Sequence, residues 1–97
     1  MATNYTRGVA YEYKAKKQLE EDGYTVIRAA GSHGPFDLIA FRGDETVRCI
    51  QIKRTKAPGG VKQLLGKFVP QTNGASYPYI HEMWVWYGGR WYISAKA

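Results

Sequence analysis

At 97 residues the chain is long enough for one domain with one modest core. With 44% hydrophobic residues it folds without metal or disulfide support, and a single cysteine, Cys49, excludes a disulfide framework and fits a reducing compartment. No apolar stretch reaches the ~18 residues that span a bilayer, residues 1–6 lack the apolar run of a signal peptide, and 14 Lys and Arg against 8 Asp and Glu leave a net charge of +6 that favours a polyanionic partner.

In chain order, Arg7 to Asp22 is rich in Ala, Lys, Gln, Glu and Leu and predicts a helix, with Thr6 as N-cap and Gly23 as its stop. Tyr24 to Ala29 is dense in β-branched and aromatic residues and predicts a strand. Gly31-Ser32-His33-Gly34-Pro35 has loop chemistry. Phe36 to Phe41 and Thr46 to Lys53 predict two strands joined by a tight turn at Gly43-Asp44, and Cys49 in the second of them is expected to be a buried thiol. Ala57 to Gly60 breaks the pattern. Val61 to Phe68 predicts a short helix, Pro70 to Pro78 a loop, and Met83–Tyr87 with Trp91–Ser94 a hairpin turning at Gly88-Gly89. The order α-β-β-β-α-β-β implies an α/β fold, a mixed sheet with helices packed on it.

Four residues on three elements stand out chemically. Gly8, Glu12, Ala15 and Leu19 share one stripe of the first helix. A carboxylate in that stripe either faces the sheet and meets a cation or metal, or pairs with Lys16 at i+4 on a shifted surface face. Asp37 opens an apolar strand directly after a Gly-rich loop, where aspartate is a poor strand former; a turn-capping role is the plainer alternative. Gln51 and Lys53 point to one face of their strand and Ile50 and Ile52 to the other. Antiparallel pairing about the Gly43-Asp44 turn brings Asp37 to within about one residue of Gln51. The result is either an acid–amide–lysine cluster or a solvated polar face. Such a cluster suits phosphodiester hydrolysis: oxygen ligands bind Mg²⁺ or Mn²⁺, the metal activates water and polarises the phosphate, and a lysine stabilises developing charge. A backbone carbonyl, that of Ile52, can complete the ligand set.

Asp37 followed after a hairpin by Gln51-Ile52-Lys53 resembles the PD-(D/E)xK nuclease signature. With Arg7-Gly8-Val9-Ala10-Tyr11-Glu12, Leu19 and Gly23 to Ser32, the stretch from about Arg7 to Lys56 is similar to archaeal-type Holliday-junction resolvases, the Hjc group; the likeness continues loosely through the Trp- and Tyr-rich hairpin. The resemblance implies a restriction-endonuclease-like fold and a homodimer that cuts four-way DNA junctions with Mg²⁺ or Mn²⁺. It implies roles for Glu12 as helix carboxylate, Ser32 as loop serine near the scissile phosphate, Asp37 as central metal ligand and Lys53 as catalytic lysine. One departure matters: the family pattern has glutamate where this chain has Gln51. The amide is a working Gln-x-Lys variant, a disabling substitution, or the mark of a chain that binds without cutting. The first is preferred because Glu12, Asp37 and Lys53 all persist.

Arg54 and Lys56 extend the motif strand, Lys62 and Lys67 follow on the short helix, and Arg7, Lys14, Lys16 and Lys17 lie on or near the first. These cations, with Ser32 and His33 in the loop, are candidates to track phosphates, against the alternative of an ordinary solvated surface. No residue looks like a base reader, so recognition by shape is expected. Trp84, Trp86, Trp91 and Tyr92 either stack on bases or, as the alternation with Met83 and Val85 favours, make core or dimer contacts. The expectation is a single nuclease domain over residues 1–97. It would be cytoplasmic in an archaeal or bacterial cell, or in host cytoplasm if virus-encoded. It would act on branched DNA. The alternatives are a catalytically silent DNA-binding module and a nuclease for flaps or duplex.

Overall fold

The computed structural model describes residues 4–29, 36–69 and 79–96, and side chains over 8–29, 36–69 and 79–94. The elements are α1 (Asn4–Glu21), β1 (Thr25–Arg28), β2 (Leu38–Phe41), β3 (Val47–Arg54), α2 (Gly60–Lys67), β4 (Tyr79–Tyr87) and β5 (Arg90–Lys96). Their order is the expected α-β-β-β-α-β-β. The five strands form one mixed sheet in sequence order, with β3 and β4 parallel and every other neighbour antiparallel. No described helix is long and apolar enough to cross a membrane.

Helix α1 starts earlier than the sequence predicts. Asn4 and Tyr5 carry no breaker, so the helix runs through them, and Thr6 lies in its first turn instead of capping it. Its end is as expected: Gly23, at φ +91°, takes the left-handed position after the helix. Tyr24 N–H then donates to the Leu19 carbonyl and Gly23 N–H to that of Glu20, each at 3.0 Å, the paired bonds of a Schellman stop. At the other hairpin, Gly88 and Gly89 both have positive φ, the backbone that a two-residue turn between β4 and β5 demands.

The helices lie on opposite faces of the sheet. Ala15 and Leu19 of α1 are fully buried against Val26, Leu38, Ala40, Ile50 and Trp84. Residues Val61, Leu64 and Leu65 of α2 pack with Phe68, Met83 and Val85. Trp84 alternates with Met83 and Val85 along β4, so the two clusters sit on its two sides. Burying each large aliphatic of the α1 cluster contributes roughly 1.5–3 kcal/mol, and this face fixes the helix on the sheet.

Strand β4 begins four residues before the predicted start and carries two buried polar side chains, His81 and Glu82. Glu82 is matched by Arg48 of β3, whose Nε and a terminal nitrogen donate to its two oxygens at 2.6 and 2.8 Å, and by Trp84 Nε1 at 2.9 Å. Cys49 is buried as expected, and burial together with the Glu82 charge pushes its thiol pKa up.

A candidate active-site cleft at the end of strands two and three

Glu12 is one turn before Ala15 on α1, so the same stripe that buries Ala15 and Leu19 carries its carboxylate toward the sheet. It does not pair with Lys16, which binds Glu20 at 2.8 Å. Its partner is Arg28 of β1, at 2.9 Å with both side chains about one-fifth exposed. The Glu12 carboxylate raises the Arg28 pKa further above its ordinary value, and the guanidinium also lies 4.9 Å from the Tyr13 ring. Arg28 escaped attention in the sequence, although period-two alternation from buried Val26 places it on the face toward α1.

Asp37 sits at the mouth of β2, where the pairing with β3 ends. Leu38 pairs with Ile50, and the Asp37 N–H also donates to the Ile50 carbonyl, at 2.8 Å. Two residues of one strand thus face one of the other, the geometry of a bulge, which re-aims the side chain next to it. The Asp37 carboxylate accordingly turns along β3 and accepts the Ile52 N–H at 2.7 Å. It straddles Gln51, satisfying both neighbours of that residue. Because the N–H and C=O of one strand residue point to the same edge, the Ile52 carbonyl faces the edge that β2 has vacated.

These groups converge on one cleft of about 210 Å³. Glu12, Asp37, Gln51, Ile52, Lys53 and Arg54 line it, joined by Gly8 and Tyr11. Lys14 approaches the Trp86 ring at 4.7 Å, and Lys56 is exposed just beyond Arg54. Lys17 is exposed on α1 away from the cleft, and Lys62 and Lys67 are exposed on α2, on the opposite face of the sheet. They do not join the cleft. Ser32, His33 and the Arg7 side chain lie outside the described residues. Tyr11, not singled out by the sequence, lines the cleft between Glu12 and Arg54.

The donors available are all hard oxygens: two carboxylates, an amide and a main-chain carbonyl. That set suits Mg²⁺ or Mn²⁺ in kind. It is sparse in charge, since among the described residues no three acidic, His or Cys groups come together. In the lining Lys53 and Arg54 balance Glu12 and Asp37, and Arg28, paired with Glu12 outside the lining, adds one positive charge, so the cleft is suited to a phosphate as well as to a cation.

Of the aromatic hairpin, Trp84 is core at 2% exposure, while Trp86 and Trp91 are half-buried and meet edge to face at 5.0 Å. The core role expected for these residues holds for Trp84, and Trp91 packs against the same cluster.

A family model described as archaeal Holliday junction resolvase (Hjc) matches residues 3–62, more than half of the chain. A crossover junction endodeoxyribonuclease Hjc of Methanocaldococcus jannaschii is 41% identical over 58 residues, or 58% of this chain. The match covers 43% of that relative's length. The structure of Hjc from Archaeoglobus fulgidus, a Holliday junction resolvase, aligns with a TM-score of 0.62 at 20% identity, over 90% of this chain and 70% of that one. It supports the fold.

Proposed function

Because the chain belongs to the archaeal Holliday junction resolvase (Hjc) family, we propose that it is a structure-selective endodeoxyribonuclease that resolves four-way DNA junctions by metal-dependent phosphodiester hydrolysis. The single observation that carries this reading is the Asp37 carboxylate clamped on Ile52 N–H, in one cleft with Glu12, Gln51 and Lys53. We assign Asp37, Glu12, the Gln51 amide oxygen and the Ile52 carbonyl as the residues that hold Mg²⁺ or Mn²⁺. Bound there, the ion supplies Lewis acidity to the scissile phosphate and lowers the pKa of the attacking water.

The chain's own groups do the rest. Lys53 donates to the phosphate oxygens and stabilises the charge that builds on phosphorus. Arg28 holds the Glu12 carboxylate in place from the far side. Arg54, Lys56 and Lys14 beside the cleft, with Arg7, Ser32 and His33, contact the backbone of the strand; Lys17, Lys62 and Lys67 are assigned to more distant arms. We take residues 1–97 as one nuclease domain, acting in the cytoplasm as a homodimer, since a two-fold junction offers two equivalent strands to two equivalent sites.

A second reading draws on the uncharged Gln51 and the Arg28-neutralised Glu12: a module that binds branched DNA without cutting it. Asp37→Ala separates them. The resolvase loses at least about a hundredfold in cutting rate, as loss of a group stabilising the transition state does, while junction binding in a gel shift stays within a few-fold. Unchanged cutting by Asp37→Ala removes the assignment, and absence of cutting by the unaltered chain favours the binding module.

A further inference from the structure

A second cleft opens beside the first, with a volume of about 320 Å³. Its walls include Tyr11, Arg54, Lys56, Trp86 and Tyr87, and among the described residues no carboxylate lines it. Tyr11 and Arg54 line both clefts, so the two are continuous. The size falls in the roughly 300–1,000 Å³ range of small-ligand pockets. Its rings are already in the company of cations: Lys14 Nζ lies 4.7 Å from the Trp86 ring and the Arg54 guanidinium 5.5 Å from that of Tyr11.

Packing seals Trp84, whereas Trp86 meets the Trp91 and Tyr11 rings at 5.0 and 6.1 Å and still lines the open cleft. Trp84 is sealed in the core, whereas Trp86, two residues on and on the same face of β4, is half-buried and has an exposed lysine over its ring. The Tyr11 and Trp86 rings, the lining cations Arg54 and Lys56 and the neighbouring Lys14, with no acid among the described lining residues, form a surface complementary to a nucleotide: π faces for a base and positive charge for its phosphates.

Resting on the nuclease reading above, we propose that this second cleft receives an unstacked nucleobase of the DNA strand, adjacent to the phosphate held in the first cleft. Lys53 marks the scissile phosphate, Arg54 and Lys56 lead the backbone onward, and the base turns onto Trp86 beside Tyr11. Stacking of this kind tolerates any base, in keeping with recognition that does not read sequence. It discriminates structure instead. Taking a base out of a continuous duplex costs a few kcal/mol, and the cost is least where stacking is already interrupted. A branch point is such a place, so the cleft favours branched over continuous DNA.

The test uses the full chain and a labelled four-way junction in EDTA, where binding is read without cutting. Each nucleotide within two of the branch point is replaced in turn by an abasic site. One position is expected to weaken binding roughly 5- to 150-fold, the equivalent of roughly 1–3 kcal/mol of stacking per base. The same abasic change should have little effect in Trp86→Leu or Tyr11→Leu, and Trp86→Phe should restore it, because coupled partners give non-additive losses. Circular dichroism verifies folding, and Tyr11→Leu on α1 serves should Trp86→Leu not fold. The proposal is overturned if no abasic position matters, or if the loss is equally large in the variants. It is also overturned if thymidine monophosphate at the junction's own concentration competes, which would make the cleft a site for free nucleotides. Cutting by the unaltered chain in Mg²⁺ is followed in parallel. Cutting without an abasic effect discards the second cleft alone, whereas neither cutting nor binding discards the nuclease reading and this cleft with it.

Discussion

At the scale of single residues, the proposed site rests on Glu12, Asp37 and Lys53, and Gln51 is where it departs from the pattern that the resemblance implies. An amide in place of a carboxylate leaves the proposed donor set with two negative charges, Glu12 and Asp37, instead of three. A unit charge about 4 Å from a cation is worth roughly 4 kcal/mol at an effective dielectric of 20, before desolvation takes its share. Gln51→Glu is therefore expected to tighten Mn²⁺ binding at least about tenfold in a calorimetric titration; unchanged affinity would place the ion elsewhere. His81 offers a pH signature. Burial lowers its pKa below the ordinary 6.5, and its ring meets Phe36 and Phe68 edge to face at 4.8 and 4.7 Å. The unfolded chain then binds a proton that the folded chain resists. Stability is complete above about pH 6.5 and is lost as pH falls toward the lower folded value. The urea midpoint should drop more between pH 7.5 and 5.5 for the unaltered chain than for His81→Phe, and equal drops would count against the burial argument. Asp37 and Lys53 were legible in the sequence because the motif spacing and the hairpin locate them together. Arg28 was not, because nothing local ties a strand arginine to a helix glutamate 16 residues earlier.

At the scale of elements, β2, β3 and the β4–β5 turn were readable from alternation and turn glycines, and their boundaries moved by one or two residues. The first half of β4 was missed. Tyr79-Ile80-His81-Glu82 looks too polar for a central strand until Arg48, 34 positions earlier, is seen to neutralise Glu82. The aligned pairing Arg48↔Ile80 sets that arginine two residues from Glu82 and on the same face of the sheet, a register that no local pattern contains. Glu82 is 3% exposed and Arg48 23%, and removing one partner of a buried pair typically costs about 3–5 kcal/mol. Arg48→Leu is expected to lose about 3 kcal/mol in chemical denaturation, since Arg48 keeps some water. The double variant Arg48→Leu, Glu82→Leu should recover most of that loss. A double variant as unstable as the single one would show that the network holds the strands by more than charge balance. Helix α1 was legible throughout except at its start, where Thr6 looks like a cap but the helix-compatible residues before it extend the helix.

At the scale of the whole molecule, the sheet sets the proposed site at one end, where β2 leaves β3 and Asp37, among the described residues, partly claims the freed main-chain groups. Helix α1 brings Glu12 over that gap, and the positive excess of the chain, +6 overall, suits it to a polyanion. Two such clefts related by a two-fold axis would address the two strands of a junction that are equivalent by symmetry. The central claim is that this cleft cuts branched DNA with Gln51 in place. The most direct measurement incubates the unaltered chain and Gln51→Glu with an end-labelled four-way junction and with matched linear duplex, in Mg²⁺, Mn²⁺ and EDTA. The account predicts paired nicks at symmetric positions near the branch point by the unaltered chain in either metal, none in EDTA, and an intact duplex. Cutting only after Gln51→Glu, no cutting by either protein, or equal cutting of duplex and junction would contradict it.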